Sequence, residues 1–134
     1  CIVRWPGRVP KNRVSDAIFA TIDFMPTFAT LAGFKVPADR IIDGVDQTEL
    51  IFGQSEKGAR DTFYYQGNGV RRGKWKYLTA KHQVPRYARD ATRAEVEELY
   101  DLDADIGETT NLAEEHPVKV KELRALLEEI RGKG

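Results

Sequence analysis

The sequence predicts a chain in two parts, the second a small α+β unit whose four-stranded antiparallel sheet carries one C-terminal helix. Two observations predict the second part. Between residues 62 and 102, four short apolar or aromatic runs, TFYY, VR, KWKYL and ELYDL, are spaced along the chain, the first three divided by turn signals. After His116-Pro117, Val120, Leu123, Leu127 and Ile130 recur at spacings of 3, 4 and 3 on one helical face. A third observation sets residues 1–60 apart: a short apolar strand and one apolar helix, followed by a long loop-rich stretch.

In the first part, CIVRW (1–5) reads as a short buried strand ended by Pro6-Gly7, and Arg8 to Arg13 is a basic turn. Apolar residues at 18, 19, 22, 24, 25, 28 and 31 predict a helix over about 23–32. Asp23 is its expected N-cap, Pro26 falls in the first turn where a missing N–H costs little, and Gly33 closes it. Residues 34–60 are mostly loop, interrupted by the amphipathic DQTELIFG that stops at Gly53. SEKGARD is a polar connector, and a domain boundary is expected near residue 60.

In the second part TFYY (62–65) is a strand by its aromatic content, and QGNG (66–69) is the strongest hairpin turn in the chain. Val70-Arg71 forms the second strand and Arg72-Gly73 the next turn. KWKYL (74–78) alternates Lys74 and Lys76 against Trp75 and Tyr77, a strand with one wet face. Residues 79–97 are polar, with a capping-box pattern at Thr92 and Glu95. ELYDL (98–102) is the fourth strand. Proline at the first helical position opens the last helix, on which Arg124 and Glu128 are spaced to pair across one turn.

Bulk properties remove several function classes. Lys+Arg and Asp+Glu both number 21, so the zero formal charge offers no field for nucleic acid or an anionic membrane. No apolar run approaches the roughly 20 residues of a membrane span. A single cysteine, Cys1, rules out an internal disulfide and leaves the redox compartment open. The chain begins without an initiator methionine or a signal-peptide layout and reads as a piece of a longer protein.

The acidic run ELYDLDADIGETTNLAEEHP (98–117) places Asp101, Asp103 and Asp105 at alternate positions, with Gly107 and Glu108 after them. A calcium-binding EF-hand loop needs glycine at position 6 and a bidentate glutamate at 12. Counting from Asp101, glycine falls at 7 and Leu112 at 12, and a strand precedes the run where a helix is required. The structural reading is preferred: Leu99 with Leu102 or Tyr100 bury the strand, Asp103 and Asp105 accept turn N–H groups, and Asn111-Leu112 tie the loop down.

Other candidates are weighed in the same way. Cys1, among Ile2, Val3 and Trp5, is expected to be a buried inert thiol. His82, beside Lys81, Arg86 and Arg89, is either an exposed loop histidine or a contact for an anionic ligand. His116 is a helix-entry residue. Arg71, Arg72, Lys74 and Lys76 form a basic strand pair, either a solvated face or part of a hold on sulfate or phosphate. No Ser-His-Asp set, metal cluster, phosphate loop or Cys-x-x-Cys is present, so no self-contained active site is expected.

Six stretches, in order, carry a resemblance. RWPGRVP (4–10), TIDFMPTFATLAG (21–33), IDGVD (42–46), ARDTFYY (59–65), VRRGKWKYL (70–78) and ELYDLDADIGETTNLAEEHP (98–117) together resemble the C-terminal third of a type I sulfatase of the arylsulfatase kind. The resemblance spans nearly the whole chain except 79–97. It implies an α/β fold of the alkaline-phosphatase type, with residues 1–60 supplying the terminal strand, helix and loops of the large domain. Residues 61–134 are then the C-terminal antiparallel sheet and helix subdomain.

It also implies sulfate-ester hydrolysis by a formylglycine nucleophile, with calcium, both held by an upstream part of the protein and neither by this stretch. Cys1 is followed by Ile-Val-Arg, not by the family's Cys-x-Pro/Ala-Ser-Arg pattern. The implied partners are the rest of the catalytic domain and a sulfated small molecule or sugar, and the implied location is periplasmic or secreted. No catalytic or metal residue is expected here; His82, Arg86 and Arg72 are the candidates for the substrate rim. Ile106 stands where many relatives have proline, and Leu78 where many have histidine, so that histidine's contact does not carry over. The rival expectations are a related phosphodiesterase or phosphonate hydrolase, and a stand-alone non-catalytic interaction module. The last should not leave Ile2, Val3, Ile22 and Phe28 exposed as half of a core.

Overall fold

A computed structural model describes residues 1–65, 68–80 and 96–132. The chain divides into two compact units, Cys1–Asp61 and Thr62–Gly134.

In the first unit a 3-10 turn, Thr21–Asp23, runs into helix α1, Phe24–Leu31; a single helical turn, α2, follows at Thr48–Ile51. Both helices stop at a glycine of positive φ, Gly33 at 77° and Gly53 at 74°. Each end closes with a pair of bonds back into the last turn. For α1 these are Gly33 N–H to Thr30 O and Phe34 N–H to Ala29 O; for α2, Gly53 N–H to Leu50 O and Gln54 N–H to Glu49 O.

Asp23 precedes α1 as expected, but its carboxylate does not cap that helix. It turns back to accept the Ala20 N–H of the 3-10 turn and reaches across the unit to Val45 and Arg60. The charged Arg60 guanidinium, with the Val45 N–H, outcompetes the local N–H groups of the helix.

The strand expected at residues 1–5 does not form, and Cys1 is exposed rather than buried. A strand is held by a neighbour's ladder, and residues 1–61, all described, contain no strand to pair with. Ile2 is accordingly 97% exposed.

The second unit is the four-stranded antiparallel meander with its helix. Strands β1 (Thr62–Tyr64), β2 (Gly69–Arg72), β3 (Trp75–Leu78) and β4 (Glu98–Asp101) lie in the order β1-β2-β3-β4. The register pairs Val70 with Tyr77 and Tyr77 with Leu99. Those three side chains share the face on which helix α3, Pro117–Arg131, lays Val120, Leu123 and Leu127, forming the main core. Opposite that face, Leu78, Tyr100 and Leu102 make a smaller cluster. Leu99 and Tyr100 are both buried because β4 has apolar cover on each side.

The outer edge of β4 is closed by the following loop. Leu99 N–H donates to Asn111 Oδ1 at 3.0 Å, Asn111 Nδ2 to Glu97 O at 3.0 Å, and Leu112 N–H to Leu99 O at 2.8 Å. The Asn111-Leu112 tie expected from sequence is thus a seal on the sheet.

The expected pairing of Arg124 with Glu128 is replaced. Arg124 forks onto Glu97, with Nε at 2.8 Å, while Glu128 takes Arg131 one turn on at 2.5 Å. A planar fork meeting a carboxylate held beside the sheet is a better match than two mobile side chains on one helix.

Candidate functional site

Three of the sequence's basic candidates are anchored by β2 and β3. Arg71 and Lys76 face each other across the β2–β3 ladder. Lys76 Nζ makes a two-point contact with the Glu108 carboxylate, at 2.7 and 2.6 Å, and sits 5.3 Å from the centre of the Tyr65 ring. Tyr65 in turn meets Phe63 edge-on at 5.0 Å. Phe63 is the register partner of Arg71, and Tyr100 of Lys76, so this sheet face combines aromatic rings with two cations. Burial raises the Tyr65 phenol above its ordinary value; Arg71 opposes that rise and Glu108 adds to it.

Glu108 holds a left-handed backbone, φ 54°, a conformation uncommon outside glycine. The turn that permits it is built by Asp105, whose Oδ2 accepts Thr109 N–H at 2.7 Å and Thr110 N–H at 2.8 Å. These bonds hold the Asp105 carboxyl below its ordinary value. Asp101, not Asp103, supplies the other turn acceptor: its Oδ1 takes Asp103 N–H, and its Oδ2 takes Lys74 Nζ at 2.6 Å. Asp101, Asp105 and Glu108 therefore spend their oxygens on N–H donors and ammonium groups. That donor set does not fit calcium, which requires those oxygens free to converge. Cys1, exposed and followed by Ile2, does not fit a formylglycine precursor either.

Lys74 also lies 5.1 Å from the Trp75 ring, and His116 meets that ring edge-on at 5.3 Å. The basic strand pair is thus neither one solvated face nor one cation patch. Arg71 and Lys76 go to one side of the sheet, Lys74 is engaged near its end, and Arg72 is exposed opposite Trp75. His82 and Arg86, with Lys81, Arg89 and the Thr92–Glu95 capping pattern, lie outside the described residues.

Just before β4, Glu97 collects Tyr77 Oη and the guanidinium of Arg124 from the middle of α3. Arg124 foremost, then Tyr77, lowers the Glu97 carboxyl despite its partial burial. Burial and the bond to Glu97 raise the Tyr77 phenol. This trio was not legible in the sequence, since Tyr77 and Arg124 lie 20 and 27 residues from Glu97.

In the first unit a groove of about 630 Å³ is lined by Trp5, Arg13, Phe19 and Leu50 among others. Arg13 is committed there to the Leu50 and Ser55 carbonyls, at 2.5 and 2.9 Å. Among the described residues no group of three or more His, Cys, Asp or Glu is placed to hold a metal ion. No described helix is long and apolar enough to cross a membrane. What the described surface offers is positioning, through cations and aromatic faces, without a nucleophile–base pair.

Comparison with known proteins supplies the context. Residues 1–133 match the family described as N-sulphoglucosamine sulphohydrolase, C-terminal. The chain is 30% identical over 138 residues to an N-acetylgalactosamine-6-O-sulfatase of Bacteroides thetaiotaomicron, covering 97% of this chain and 26% of that protein. It is 47% identical over 60 residues to arylsulfatase G of Canis lupus familiaris, covering 45% of this chain and 11% of that protein. Among solved structures it superimposes on a Bacteroides thetaiotaomicron protein from a study of glycosaminoglycan metabolism. There the TM-score is 0.78 and the identity 30%, with 98% of this chain and 28% of that one covered. A second, with TM-score 0.69 and 28% identity over 98% of this chain and 27% of that one, was solved with its substrate D-glucosamine-2-N,6-O-disulfate.

Proposed function

The chain belongs to the sulfatase C-terminal family, and we propose that it is the C-terminal part of a sulfatase that hydrolyses sulfate esters on a sugar. The observation that carries the reading is the family match over residues 1–133, supported by a superposition covering 98% of the chain. The chain spans only about a quarter of that structural neighbour, 28%, so the activity is assigned to the intact protein.

In this reading residues 1–60 complete the large α/β domain and residues 61–134 form the C-terminal subdomain. The division of the chain at Asp61 and Thr62 supports that assignment. Calcium and the formylglycine nucleophile belong to the remainder, because neither the acidic run nor Cys1 fits them. An anionic ester in a closed site needs cations that neutralise charge on its oxygens. We assign Arg72, exposed on the sheet, to the rim of the substrate site, and His82 and Arg86 to the same rim on sequence alone. The class of substrate follows the sulfated sugar bound by one structural relative. We place the protein in the periplasm or outside the cell.

The test is made on the intact protein. Peptide mapping should find a formylglycine outside residues 1–134, and the purified protein should release sulfate from a 6-O-sulfated amino sugar. Cleavage of a phosphonate or phosphodiester in preference to the sulfate ester would overturn the reading.

A further inference from the structure

Gly69 is the first residue of β2, and Asn68 lies just before it. Packing fixes the glycine. A Cβ added there would lie 2.1 Å from Tyr77 O and 2.8 Å from Leu78 Cδ2, so no larger residue fits without moving β3. The sheet therefore keeps an asparagine followed by a residue without a side chain.

That pair has a chemistry of its own. The main-chain nitrogen after an asparagine attacks the side-chain amide carbon, and glycine, with no Cβ, hinders the attack least. Gly69 N loses its proton to solvent base and bonds to Asn68 Cγ, and ammonia leaves with the side-chain nitrogen. Water then opens the cyclic imide. Addition at Cγ yields aspartate. Addition at the main-chain carbonyl yields isoaspartate, which routes the backbone through the side chain and lengthens it by a carbon atom. No oxidant, reductant or cofactor is consumed.

The paired strands oppose the reaction. Asn68 N–H donates to Tyr65 O at 2.8 Å, Thr79 N–H to Asn68 O at 2.8 Å, and Tyr65 N–H to Gly69 O at 3.0 Å. Ring closure requires rotation about the Asn68 Cα–C bond, which carries the Asn68 oxygen away from Thr79. Two of the three restraining bonds depend on Tyr65, directly after β1. That strand is the weak point: it is an edge strand of three residues, and Tyr64 in it is 37% exposed. Among the described residues the helix–sheet core draws on β2, β3 and β4 but on no residue of β1. An edge outside the core opens at a lower free energy than the core itself.

We propose that Asn68-Gly69 is a deamidation site gated by β1, restrained while β1 is paired and reactive when β1 lifts away from β2. The isoaspartyl product makes that opening one-way. Its added backbone atom displaces Gly69 relative to Tyr65 and Thr79, so the three strands no longer meet in their original register at this point. The proposal is independent of the sulfatase reading, since it uses only the sheet.

The test incubates the full chain in mildly alkaline buffer, with and without unfolding urea, and maps its peptides by mass spectrometry. Conversion is expected at Asn68 ahead of Asn12 and Asn111, which are followed by Arg13 and Leu112. It should run about tenfold or more faster in urea than in buffer, the factor by which the paired strand holds it back. Phe63→Ala removes the 5.0 Å ring contact with Tyr65. That variant should keep a cooperative unfolding transition, convert faster than the parent in buffer, and match the parent in urea. Asn68→Gln should lose the product, because its closure needs a larger ring. The isoaspartyl fraction, separated by ion exchange, should melt below Asn68→Asp, which carries the new charge without the lengthened backbone.

Equal rates in buffer and urea would overturn the gating, as would a folded Phe63→Ala that converts no faster than the parent. No conversion at Asn68 in urea, or conversion there slower than at Asn12, would overturn the site itself.

Discussion

The two units of the chain are held together by opposite means. Residues 62–134 bury Val70, Tyr77, Leu99, Leu123 and Leu127 to 1% exposure or less, an apolar core of ordinary kind. Among residues 1–61 Leu50 is the only large aliphatic or aromatic side chain that is buried; the others there are Asp23, Pro26, Thr27 and Gln47. Asp23 accepts Ala20 N–H, Val45 N–H and the Arg60 guanidinium, while Gln47 bridges Ile18 O and Ala59 N–H. A polar network fixes which segments meet, but it contributes little net free energy compared with apolar burial. The first unit is thus specified without being self-sufficient, whereas the second is both.

The largest expected effect follows directly. Expressed alone, residues 62–134 should show a cooperative urea transition, and residues 1–61 alone should show none by circular dichroism. A sharp transition in the isolated first half would break the contrast.

Next is the network itself. Asp23 is fully buried and its Arg60 partner has 11% of its side chain exposed. In the full chain Asp23→Ala leaves a largely buried guanidinium without its counter-charge, and should appear as a clear loss of protease resistance confined to residues 1–61. In the other unit Leu127→Ala opens a cavity at the centre of the helix–sheet core and should cost about 3 kcal/mol in urea titration.

A smaller effect separates the two units by pH. Burial works to raise the Asp23 carboxyl, but Arg60 and the Val45 and Ala20 N–H groups prevail and lower it. A depressed carboxylate contributes stability that is complete above its unfolded value of about 3.9 and is lost as pH falls through the lower folded value. Proteolytic resistance of residues 1–61 should therefore decline below about pH 4, and Asp23→Asn should remove that slope. The smallest expected effect is that of Arg124→Ala. Its side chain is 49% exposed, and loss of its pairing with Glu97 should cost less than about 1 kcal/mol by thermal melting.

The second unit was legible in the sequence because its determinants are local. Alternation in KWKYL and the 3-4-3 stripe of α3 each act within a few residues, and β3 and α3 lie where they point; of the QGNG turn, Gln66 and Gly67 lie outside the described residues and Gly69 already belongs to β2. The first unit was legible only in part. The Gly33 and Gly53 stops are local and were found. The role of Asp23 was not, because Val45 and Arg60 lie 22 and 37 residues away and nothing nearby marks them. Residues 1–5 misled for a related reason: an apolar run states a preference for a strand, but a strand exists only where another chain segment completes it. In the candidate site Asp105 and Asn111 were readable as turn-makers from their residue types. The Lys76–Glu108 contact over Tyr65 was not, since it depends on the fold of a left-handed turn.

The seal made by Asn111 has a consequence for how such proteins diversify. Its side-chain amide presents an oxygen and an N–H₂ to β4 much as a peptide group of a fifth strand would. The sheet thus ends on a side chain and cannot be lengthened from that direction by an added strand without first displacing the amide. A unit sealed in this way can carry insertions elsewhere without offering that edge as a template for aggregation.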